Sequence, residues 1–222
     1  VASIGTLGIQ TINTKTKVAN TTLDPIELGS CLESLKKKKI DNVILEASSH
    51  GLDQHRLDGL IFKTGIFTNL SRDHLDYHKT YNNYLQSKLY LFEKLLKKDS
   101  NIITDYEIKE FKKIKSIAIK RKLNLESINS NKNGLRIIYH KYIQGKQLIK
   151  FSYKNKIYEF QTHLIGKIQI KNILMAVLAA KNSGLSFKKI LGVIAKIRPV
   201  NGRLEKIGII KNQSSVILDY AH

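Results

Sequence analysis

Apolar residues recur along this chain with two different spacings, and the spacing changes from segment to segment. Consecutive or alternating apolar residues are typical of strands, whereas apolar residues three and four positions apart predict amphipathic helices. The helices predicted in this way are 26–39, 80–97, 168–183 and 187–197. The short buried strands predicted are 42–46, 65–69, 101–104, 116–119 and 215–218.

The predicted helices have recognisable ends and faces. Gly184 is expected to end the third helix, because glycine tolerates the left-handed conformation there, and Ser186 is expected to cap the fourth. Lysines at the end of the first helix suit its negative C-terminus. The residues expected to face inward are Ile26, Leu28, Leu32 and Leu35 in the first helix, and Tyr81, Tyr84, Leu85, Phe92 and Leu95 in the second.

The pattern changes between residues 135 and 165. Three alternating segments, 135–142, 147–153 and 157–162, are separated by short polar turns and predict an antiparallel meander. Elsewhere strands alternate with helices, which is typical of an α/β domain. The expected fold class is therefore α/β, with a mainly parallel sheet flanked by helices and a small antiparallel patch.

Composition narrows the compartment and the class of protein. The 222 residues are 42% hydrophobic, enough for one large domain or a domain with an insertion. No run approaches the ~20 apolar residues that cross a bilayer, and no signal peptide opens the chain. Cys31 is the only cysteine, so no internal disulfide is possible. We expect a cytoplasmic protein without membrane attachment.

The net charge of +20 raises the alternative of a nucleic-acid-binding protein. Only six of the 38 basic residues are arginine, however, and recognition surfaces favour the planar fork of arginine. The lysine runs are therefore interpreted as solvated faces, and no nucleic-acid partner is expected. A basic field would still attract polyanionic substrates such as nucleotides.

Polar and charged residues follow three of the predicted strands. Glu46 stands at the end of the first strand, the cluster 68–78 follows the second, and Asp219 follows the last. Open α/β sheets bind ligands at the carboxyl ends of their strands. The sequence therefore predicts one shared site at this edge.

Three residue types in this region have alternative explanations. Lys88 lies on the apolar face of its helix, where it either extends its head to water or is a partly neutral amine that can react with carbon dioxide to form a carbamate. Glu46 is either a magnesium ligand or a solvated strand-end acid. His74 and His78 are four residues apart, but no third soft ligand suggests zinc.

Two segments suit phosphate groups. Asn20, Thr21 and Thr22 precede Asp24 and Pro25 and form either a helix start or a hydroxyl-rich turn that binds phosphate. Arg203 follows Gly202 on a loop, where a guanidinium can pair with a phosphate.

Taken together, these residues resemble the Mur ligase family. The matching strings occur in family order across essentially the whole chain. They are Gly5-Thr6-Leu7-Gly8, Asn20-Thr21-Thr22-x-Asp24, Glu46-x-Ser48-Ser49-His50-x-Leu52, Phe67 to His78, Lys88 with Leu91-Phe92, Leu164-x-Gly166 to Asn172, Gly202-Arg203-x-Glu205 and Asp219-Tyr220-Ala221-His222.

The resemblance implies an ATP-dependent amide ligase of peptidoglycan biosynthesis, and so a role in cell shape and division. Such a ligase adds a diamino acid, meso-diaminopimelate or L-lysine, to UDP-N-acetylmuramoyl-L-alanyl-D-glutamate through an acyl phosphate. ATP and Mg²⁺ are the implied cofactors, and the implied enzyme is a monomer. The resemblance also implies three sets of site residues. The UDP-muramoyl dipeptide would be bound by Asn20, Thr21, Thr22, Ser48, Gln54 and Arg56, and ATP by Asn172, Arg203 and Asp219. Mg²⁺ would be held by Glu46, His74 and a carbamylated Lys88, which would also act in catalysis.

The chain also departs from the family pattern. The glycine-rich phosphate loop, the N-terminal uridine-binding domain and the C-terminal amino-acid-binding domain are missing from 1–222. Ile168 and Gln169 stand where the family usually has Phe-Asn. The chain is therefore expected to be the larger part of a central, P-loop-NTPase-like domain that cannot ligate alone.

Other members of the superfamily remain as alternatives. A neighbouring Mur ligase or a folylpolyglutamate synthase would share the strand-end acid, the histidine and the lysine. The strings Asp73 to His78 and Asp219 to His222 favour the diamino-acid-adding type. A non-catalytic remnant of such a ligase is a further alternative.

Overall fold

The computed structural model describes residues 1–130, 134–211 and 214–220. The chain divides into two compact units, the first comprising Val1–Gly65 and Leu70–Ser100 and the second comprising Ile66–Asn69 and Asn101–His222. The elements of the described residues are, in chain order, β1 (Ala2–Gly5), β2 (Gly8–Gln10), β3 (Lys15–Thr16), α1 (Pro25–Lys37), β4 (Val43–Leu45), α2 (Ser49–Asp53), β5 (Phe62–Phe67), α3 (Leu75–His78), α4 (Tyr81–Lys94), β6 (Leu96–Asp105), α5 (Phe111–Arg121), β7 (Asn124–Ile128), β8 (Gly134–Ile143), β9 (Lys146–Tyr153), β10 (Lys156–Thr162), α6 (Lys167–Asn182), α7 (Phe187–Ile194), β11 (Glu205–Ile210) and β12 (Ser214–Leu218).

The first unit contains a four-stranded sheet in the order β3-β2-β1-β4. β1 pairs in parallel with β4 and antiparallel with β2. The buried core of this unit combines strand, helix and loop residues: Ala2, Ile4, Leu23, Leu28, Leu35, Leu52, Leu57 and Leu95. Burial of the apolar side of β1 and α1 therefore holds the end of β4, where Glu46 follows.

Local capping explains where three helices of the first unit begin. Asp24 accepts hydrogen bonds from the amides of Ile26 and Glu27 at 2.9 and 3.0 Å, and Pro25 occupies the first position of α1. Ser48 caps α2 and Thr80 caps α4 in the same way. The starts of α1, α2 and α4 are therefore fixed by side chains next to them in sequence.

The second unit is organised around a mixed sheet. The six-stranded sheet has the order β10-β9-β8-β7-β6-β5, with β6, β7 and β8 parallel and β8, β9 and β10 antiparallel. Residues of α6 pack with the fully buried side chains of this sheet in one core. This arrangement confirms the α/β class, and it confirms the meander predicted at 135–142, 147–153 and 157–162.

Several details differ from the sequence predictions. Residues 116–119, predicted as a strand, belong to α5, because Ile114 and Ala118 are buried four residues apart while Ile119 is 70% exposed. A helix there also provides the crossover that parallel β6 and β7 require. Strand β7 itself was not predicted.

Two residues predicted to face inward are exposed. Ile26 is 82% exposed because it lies in the first turn of α1, outside the buried positions Leu28 and Leu35. Tyr81 is 38% exposed at the start of α4, whereas Tyr84 and Leu85 are buried as predicted. The predicted helix end at Gly184 and cap at Ser186 are confirmed. Within the described residues, no helix is long and apolar enough to span a membrane.

Candidate functional site

The side chain of Thr22, which precedes α1, forms hydrogen bonds with the segment that follows β4. Its side chain is buried, and its hydroxyl lies 2.8 Å from the carbonyl oxygen of Glu46 and 3.0 Å from the hydroxyl of Ser48. The same hydroxyl accepts the amide hydrogen of Ser48 at 2.9 Å. A β-carbon on Gly51 would lie 2.6 Å from Thr22, so this packing requires glycine. Thr22 and Ser48, both predicted substrate residues, are therefore in direct contact.

The carboxylate of Glu46 is held by the segment after β1. Its Oε2 accepts the amide hydrogen of Thr6 at 2.8 Å, and a β-carbon on Gly5 would lie 2.5 Å from the same oxygen. The hydroxyls of Thr6 and Thr21 lie 3.0 Å apart. The string Gly5 to Gly8 was recognised only as a motif in the sequence, and the structure places Gly5 and Thr6 against the carboxylate.

The other predicted substrate residues are distributed around α2. The guanidinium of Arg56 donates to the carbonyl oxygen of Thr22 at 2.8 Å. The amide of Gln54 donates to the Tyr77 hydroxyl at 3.2 Å. Asn20 is exposed on the segment before α1. Arg56 therefore joins the Thr22–Ser48 contact, whereas Gln54 contacts α3 instead.

His74 adopts a left-handed backbone conformation, with φ of 54°, immediately before α3. The Asp73 carboxylate accepts the amide hydrogen of His74 at 2.8 Å, and its second oxygen lies 3.6 Å from the Nε2 atom of His74. Left-handed conformations are uncommon outside glycine and are found at functional sites. The imidazole is exposed, and its ring packs edge-on at 5.1 Å from that of His50 on α2.

Lys88 and His74 lie against the same aromatic ring. The Lys88 ammonium is 5.1 Å from the centroid of the Tyr84 ring, and the imidazole of His74 is 5.8 Å from it. Lys88 is half-buried, as its position on the apolar face predicted. Two of the three predicted metal-site residues therefore share one neighbouring ring, and the backbone of Glu46 is linked to this region through Thr22, Ser48, α2 and His50.

The donor set in this region is sparse for a metal ion. Within the described ranges, no three His, Cys, Asp or Glu side chains are grouped to hold a metal. Magnesium takes one or two protein carboxylates and completes its shell with water and phosphate oxygens. The exposed carboxylate of Glu46 fits that pattern, and a carbamate on Lys88 would supply a second carboxylate.

His78 has a different environment from His74. It is 4% exposed, its Nε2 lies 3.0 Å from the Ser49 hydroxyl, and its Nδ1 lies 3.4 Å from the Ser87 hydroxyl. Burial, above all, lowers the pKa of His78 below its ordinary value. Of the two histidines four residues apart, His74 is therefore exposed and His78 is buried. Their spacing in the sequence does not predict the contacts that His78 makes.

The hydrogen bonds of Ser87 and Tyr77 lead to Asp53, which is exposed. The Asp53 carboxylate accepts hydrogen bonds from the hydroxyls of Ser87 and Tyr77, each at 2.9 Å. Desolvation raises the pKa of Asp53, but the two hydrogen bonds and the nearby His78 and His55 together lower the pKa below its ordinary value. The carboxylate is therefore ionised near neutral pH and acts only as an acceptor.

The residues predicted to bind ATP lie in the second unit. Gln169 on α6 donates to the Arg203 carbonyl oxygen at 3.4 Å, and the Leu204 amide donates to Asp219 at 3.3 Å. Asn172 is exposed on α6, three residues after Gln169. The structure therefore brings the start of α6, the Arg203 turn and Asp219 together.

Gly202 is required in the Arg203 turn. It has φ of 70°, a β-carbon there would overlap the Tyr220 ring, and its carbonyl oxygen accepts the amide hydrogen of Tyr220 at 2.8 Å. Its own amide donates to Glu205 at 2.8 Å. Ala221 and His222, the last residues of the predicted string, lie outside the described residues.

Lys171, beside Asn172, was not identified from the sequence. Its ammonium forms ion pairs with Asp105 at 2.5 Å and with Glu107 at 3.2 Å. Desolvation lowers the pKa of Lys171, but the two carboxylates outweigh it and raise the pKa. A charged residue at the end of β6 was the available signal, since Asp105 follows the predicted strand 101–104.

Comparison with known proteins identifies clear relatives. Residues 1–180 match the family described as the Mur ligase middle domain. The whole chain is 37% identical, over 225 residues, to the UDP-N-acetylmuramoyl-L-alanyl-D-glutamate–2,6-diaminopimelate ligase of Rickettsia bellii, and it covers 46% of that protein. The chain thus spans about half the length of the curated relatives it matches.

Solved structures agree in fold. A structure of a UDP-N-acetylmuramoyl-L-alanyl-D-glutamate–2,6-diaminopimelate ligase superposes with a TM-score of 0.83 and 26% identity, over 95% of this chain and 43% of that chain. The MurF ligase from Thermotoga maritima in complex with ADP has a TM-score of 0.61 and 14% identity, over 75% of this chain and 38% of that chain. The second likeness concerns the fold alone.

Proposed function

Since this chain belongs to the Mur ligase family through its middle domain, we propose that it is the ATP-binding domain of an amide ligase. The ligase adds a diamino acid to UDP-N-acetylmuramoyl-L-alanyl-D-glutamate in peptidoglycan biosynthesis. The names of the relatives support 2,6-diaminopimelate as the diamino acid. Because those relatives are about twice as long, the proposed activity belongs to a longer protein that contains this chain as its middle part.

The proposed reaction has two steps. An oxygen of the D-glutamyl carboxylate takes the terminal phosphoryl group of ATP, so that a P–O bond to ADP breaks and an acyl phosphate forms. The free amine of the diamino acid then attacks the acyl carbon and loses a proton. Inorganic phosphate leaves, and an amide bond remains. Positioning and charge neutralisation dominate the catalysis of such transfers.

The hydroxyl groups before α1 and after β4 suit the UDP-muramoyl dipeptide. Thr22 and Ser48 share a hydrogen bond, the Thr21 hydroxyl contacts that of Thr6, and Arg56 is anchored by its bond to the Thr22 carbonyl oxygen. Hydroxyls and a guanidinium provide the donors that diphosphate and carboxylate groups need. Asn20 and Gln54 would extend this surface before α1 and beside α3.

Glu46, His74 and a carbamylated Lys88 are the residues that would hold Mg²⁺. When bound, the ion would neutralise negative charge on the reacting phosphate and carboxylate groups. The chain itself contributes the fixed geometry, because the Thr6 amide orients the Glu46 carboxylate and Tyr84 orients Lys88. ATP would contact Asn172, Arg203 and Asp219. Hydrogen bonds link this region, because Gln169 donates to the Arg203 carbonyl oxygen and the Leu204 amide donates to the Asp219 carboxylate.

The proposal depends on one observation above the others. In the first unit, the backbone carbonyl oxygen of Glu46, the hydroxyls of Thr22 and Ser48, the rings of His50, His74 and Tyr84, and the Lys88 ammonium form a series of contacts that passes through α2. A metal-assisted transfer to a bound carboxylate requires these groups near each other.

The test is ADP release by the complete protein that contains this chain. Release should require both UDP-N-acetylmuramoyl-L-alanyl-D-glutamate and a diamino acid, with 2,6-diaminopimelate preferred over L-lysine. ADP release that depends instead on a folate and glutamate would favour a folylpolyglutamate synthase. Absence of release with any acid and amine pair would favour a non-catalytic remnant. We further propose a monomeric cytoplasmic enzyme, which sedimentation of the purified protein and cell fractionation would check.

A further inference from the structure

His78 connects three helices of the first unit. It ends α3, and it contacts Ser49 at the start of α2 and Ser87 in the middle of α4. Its ring also stacks on Tyr84, with ring centroids 5.0 Å apart and an angle of 19° between the planes. The side chain is 4% exposed, so these contacts are made without competition from water.

The hydrogen bonds around His78 determine which nitrogen carries the proton. The Ser87 hydroxyl donates its single hydrogen to Asp53 or to the carbonyl oxygen of Asn83, each 2.9 Å away, and both of these groups can only accept. Towards His78, Ser87 can therefore only accept, so the Nδ1 atom of His78 is the donor. In a neutral imidazole the Nε2 atom then accepts, and Ser49 must donate to it.

The same histidine adjoins both parts of the proposed site. Ser49 follows Ser48, whose hydroxyl lies 3.0 Å from that of Thr22 in the proposed substrate segment. Tyr84, on which His78 stacks, supports the Lys88 ammonium at 5.1 Å and the His74 ring at 5.8 Å. A shift of His78 would thus move the start of α2 relative to Lys88.

We propose that His78 is a positioning residue that holds Lys88 and His74 in place relative to the substrate-binding start of α2. This inference rests on the proposed ligase function for its effect on turnover, and on the hydrogen-bond geometry alone for its structural part. His78 is not proposed to touch the reacting atoms. It acts through Ser49 on one side and through Tyr84 on the other.

The kinetic test compares His78→Phe with Leu35→Ala in the complete protein. Phenylalanine can still stack on Tyr84 but makes neither hydrogen bond, whereas Leu35 is a core residue of α1 outside this network. We expect kcat to fall about tenfold or more in His78→Phe, because small displacements of reacting groups are costly. The KM for ATP should stay the same, and kcat of Leu35→Ala should match the wild type below its unfolding temperature. An unchanged kcat in His78→Phe would overturn the proposal.

Two measurements decide the structural part without activity. Nitrogen-15 NMR of histidine-labelled protein should show His78 neutral with the proton on Nδ1, and a proton on Nε2 would overturn the assignment. Amide hydrogen exchange in α4 should be faster in His78→Phe than in Leu35→Ala, and equal rates would count against positioning. If His78→Phe fails to fold, His78→Asn, which lacks the ring that stacks on Tyr84, takes its place, and an unchanged kcat in that variant would likewise overturn the proposal. If wild-type protein releases no ADP, the proposed function fails while these measurements still decide the role of His78.

Discussion

The ammonium nitrogen of Lys88 lies 5.1 Å from the centroid of the Tyr84 ring, one helical turn earlier on α4. A cation over an aromatic face gains about 0.5–2 kcal/mol, depending on its exposure to water. The ring also meets the imidazole of His74, so one side chain orients two residues of the proposed site. The contact places the Lys88 ammonium beside His74, and substitution is needed to decide between a reactive amine and a lysine that only packs its stem.

Replacement of Lys88 by alanine should abolish most of the ligase activity of the complete protein. We expect a loss of about 100-fold or more in kcat, comparable to removal of an electrostatic group from an active site. Small carboxylates such as acetate should restore part of it, because a carbamylated lysine is a carboxylate on a long arm. Lys94→Ala, an exposed lysine at the end of the same helix, is the matched control and should remain active. Full activity of Lys88→Ala without added carboxylate would show that Lys88 only packs its stem.

Gly5→Ala should displace Glu46. The added β-carbon would lie 2.5 Å from Oε2 and 2.8 Å from the β-carbon of Glu46, so both the carboxylate and the end of β4 must shift. We expect the concentration of Mg²⁺ needed for half-maximal activity to rise several-fold. Gly29→Ala is the control, because nothing lies within 4 Å of its new β-carbon in α1. That control should stabilise the helix by about 0.5–1 kcal/mol and leave the Mg²⁺ dependence unchanged. Equal Mg²⁺ curves for both variants would contradict the role of Glu46.

Acid should destabilise the fold through His78. Burial has the largest effect on the pKa of His78 and lowers it. The nearby His50 and His74 lower it further, Asp53 and Asp76 raise it, and the net pKa is below the ordinary value of 6.5. Above about pH 6.5 the folded and unfolded forms are both neutral, and the stability contribution is complete. As the pH falls below that value the unfolded chain takes up a proton first, so the free energy of unfolding decreases.

Thermal unfolding across this pH range measures the effect. The unfolding temperature of the wild type should fall between about pH 7.5 and pH 5.5, and the fall should be smaller in His78→Phe, which cannot take up this proton. His163→Phe, a change at an exposed histidine, should keep the wild-type pH dependence. A His78→Phe variant with the same pH dependence as the wild type would disprove the contribution of His78.

Gly202→Ala should weaken ATP binding. The residue has φ of 70°, and a β-carbon would overlap the Tyr220 ring, so the turn that carries Arg203 must shift away from Asp219. We expect the KM for ATP to rise about tenfold, with less change in the KM for the UDP-muramoyl dipeptide. Gly208→Ala on β11 is the control, because its β-carbon meets nothing within 4 Å. If both variants bind ATP like the wild type, the turn at Arg203 does not contribute to the nucleotide site.

The elements that could be predicted from the sequence are those defined by near neighbours. The helix at 26–39 was expected from its apolar spacing, and the observed α1 runs over Pro25–Lys37 with Asp24 as its cap. The alternation at 135–162 predicted three antiparallel strands, which β8, β9 and β10 confirm. By contrast, the short apolar segment at 116–119 was predicted as a buried strand where α5 forms. A short apolar segment fits either structure, and the parallel pairing of β6 with β7 decides between them.

The candidate site divides in the same way. The strings around Glu46, His74, Lys88 and Arg203 could be recognised in order along the chain, because residue identity and spacing are properties of the sequence alone. The role of Gly5 beside Glu46, the shared Tyr84 ring and the buried position of His78 could not be recognised. Each of them depends on side chains that are brought together by helix packing or by pairing of β1 with β4.

The amino-acid sequence by itself thus indicated the α/β class, the helix end at Gly184, the cap at Ser186 and the identity of most candidate residues. Only the tertiary structure decided which histidine is exposed, which ring Lys88 meets and what holds the Glu46 carboxylate. The physical reason is one of range. Periodicity and capping depend on residues within about four positions of each other. The contact between Thr6 and Glu46 spans 40 positions, and it exists only because burial of a common core folds β1 beside β4.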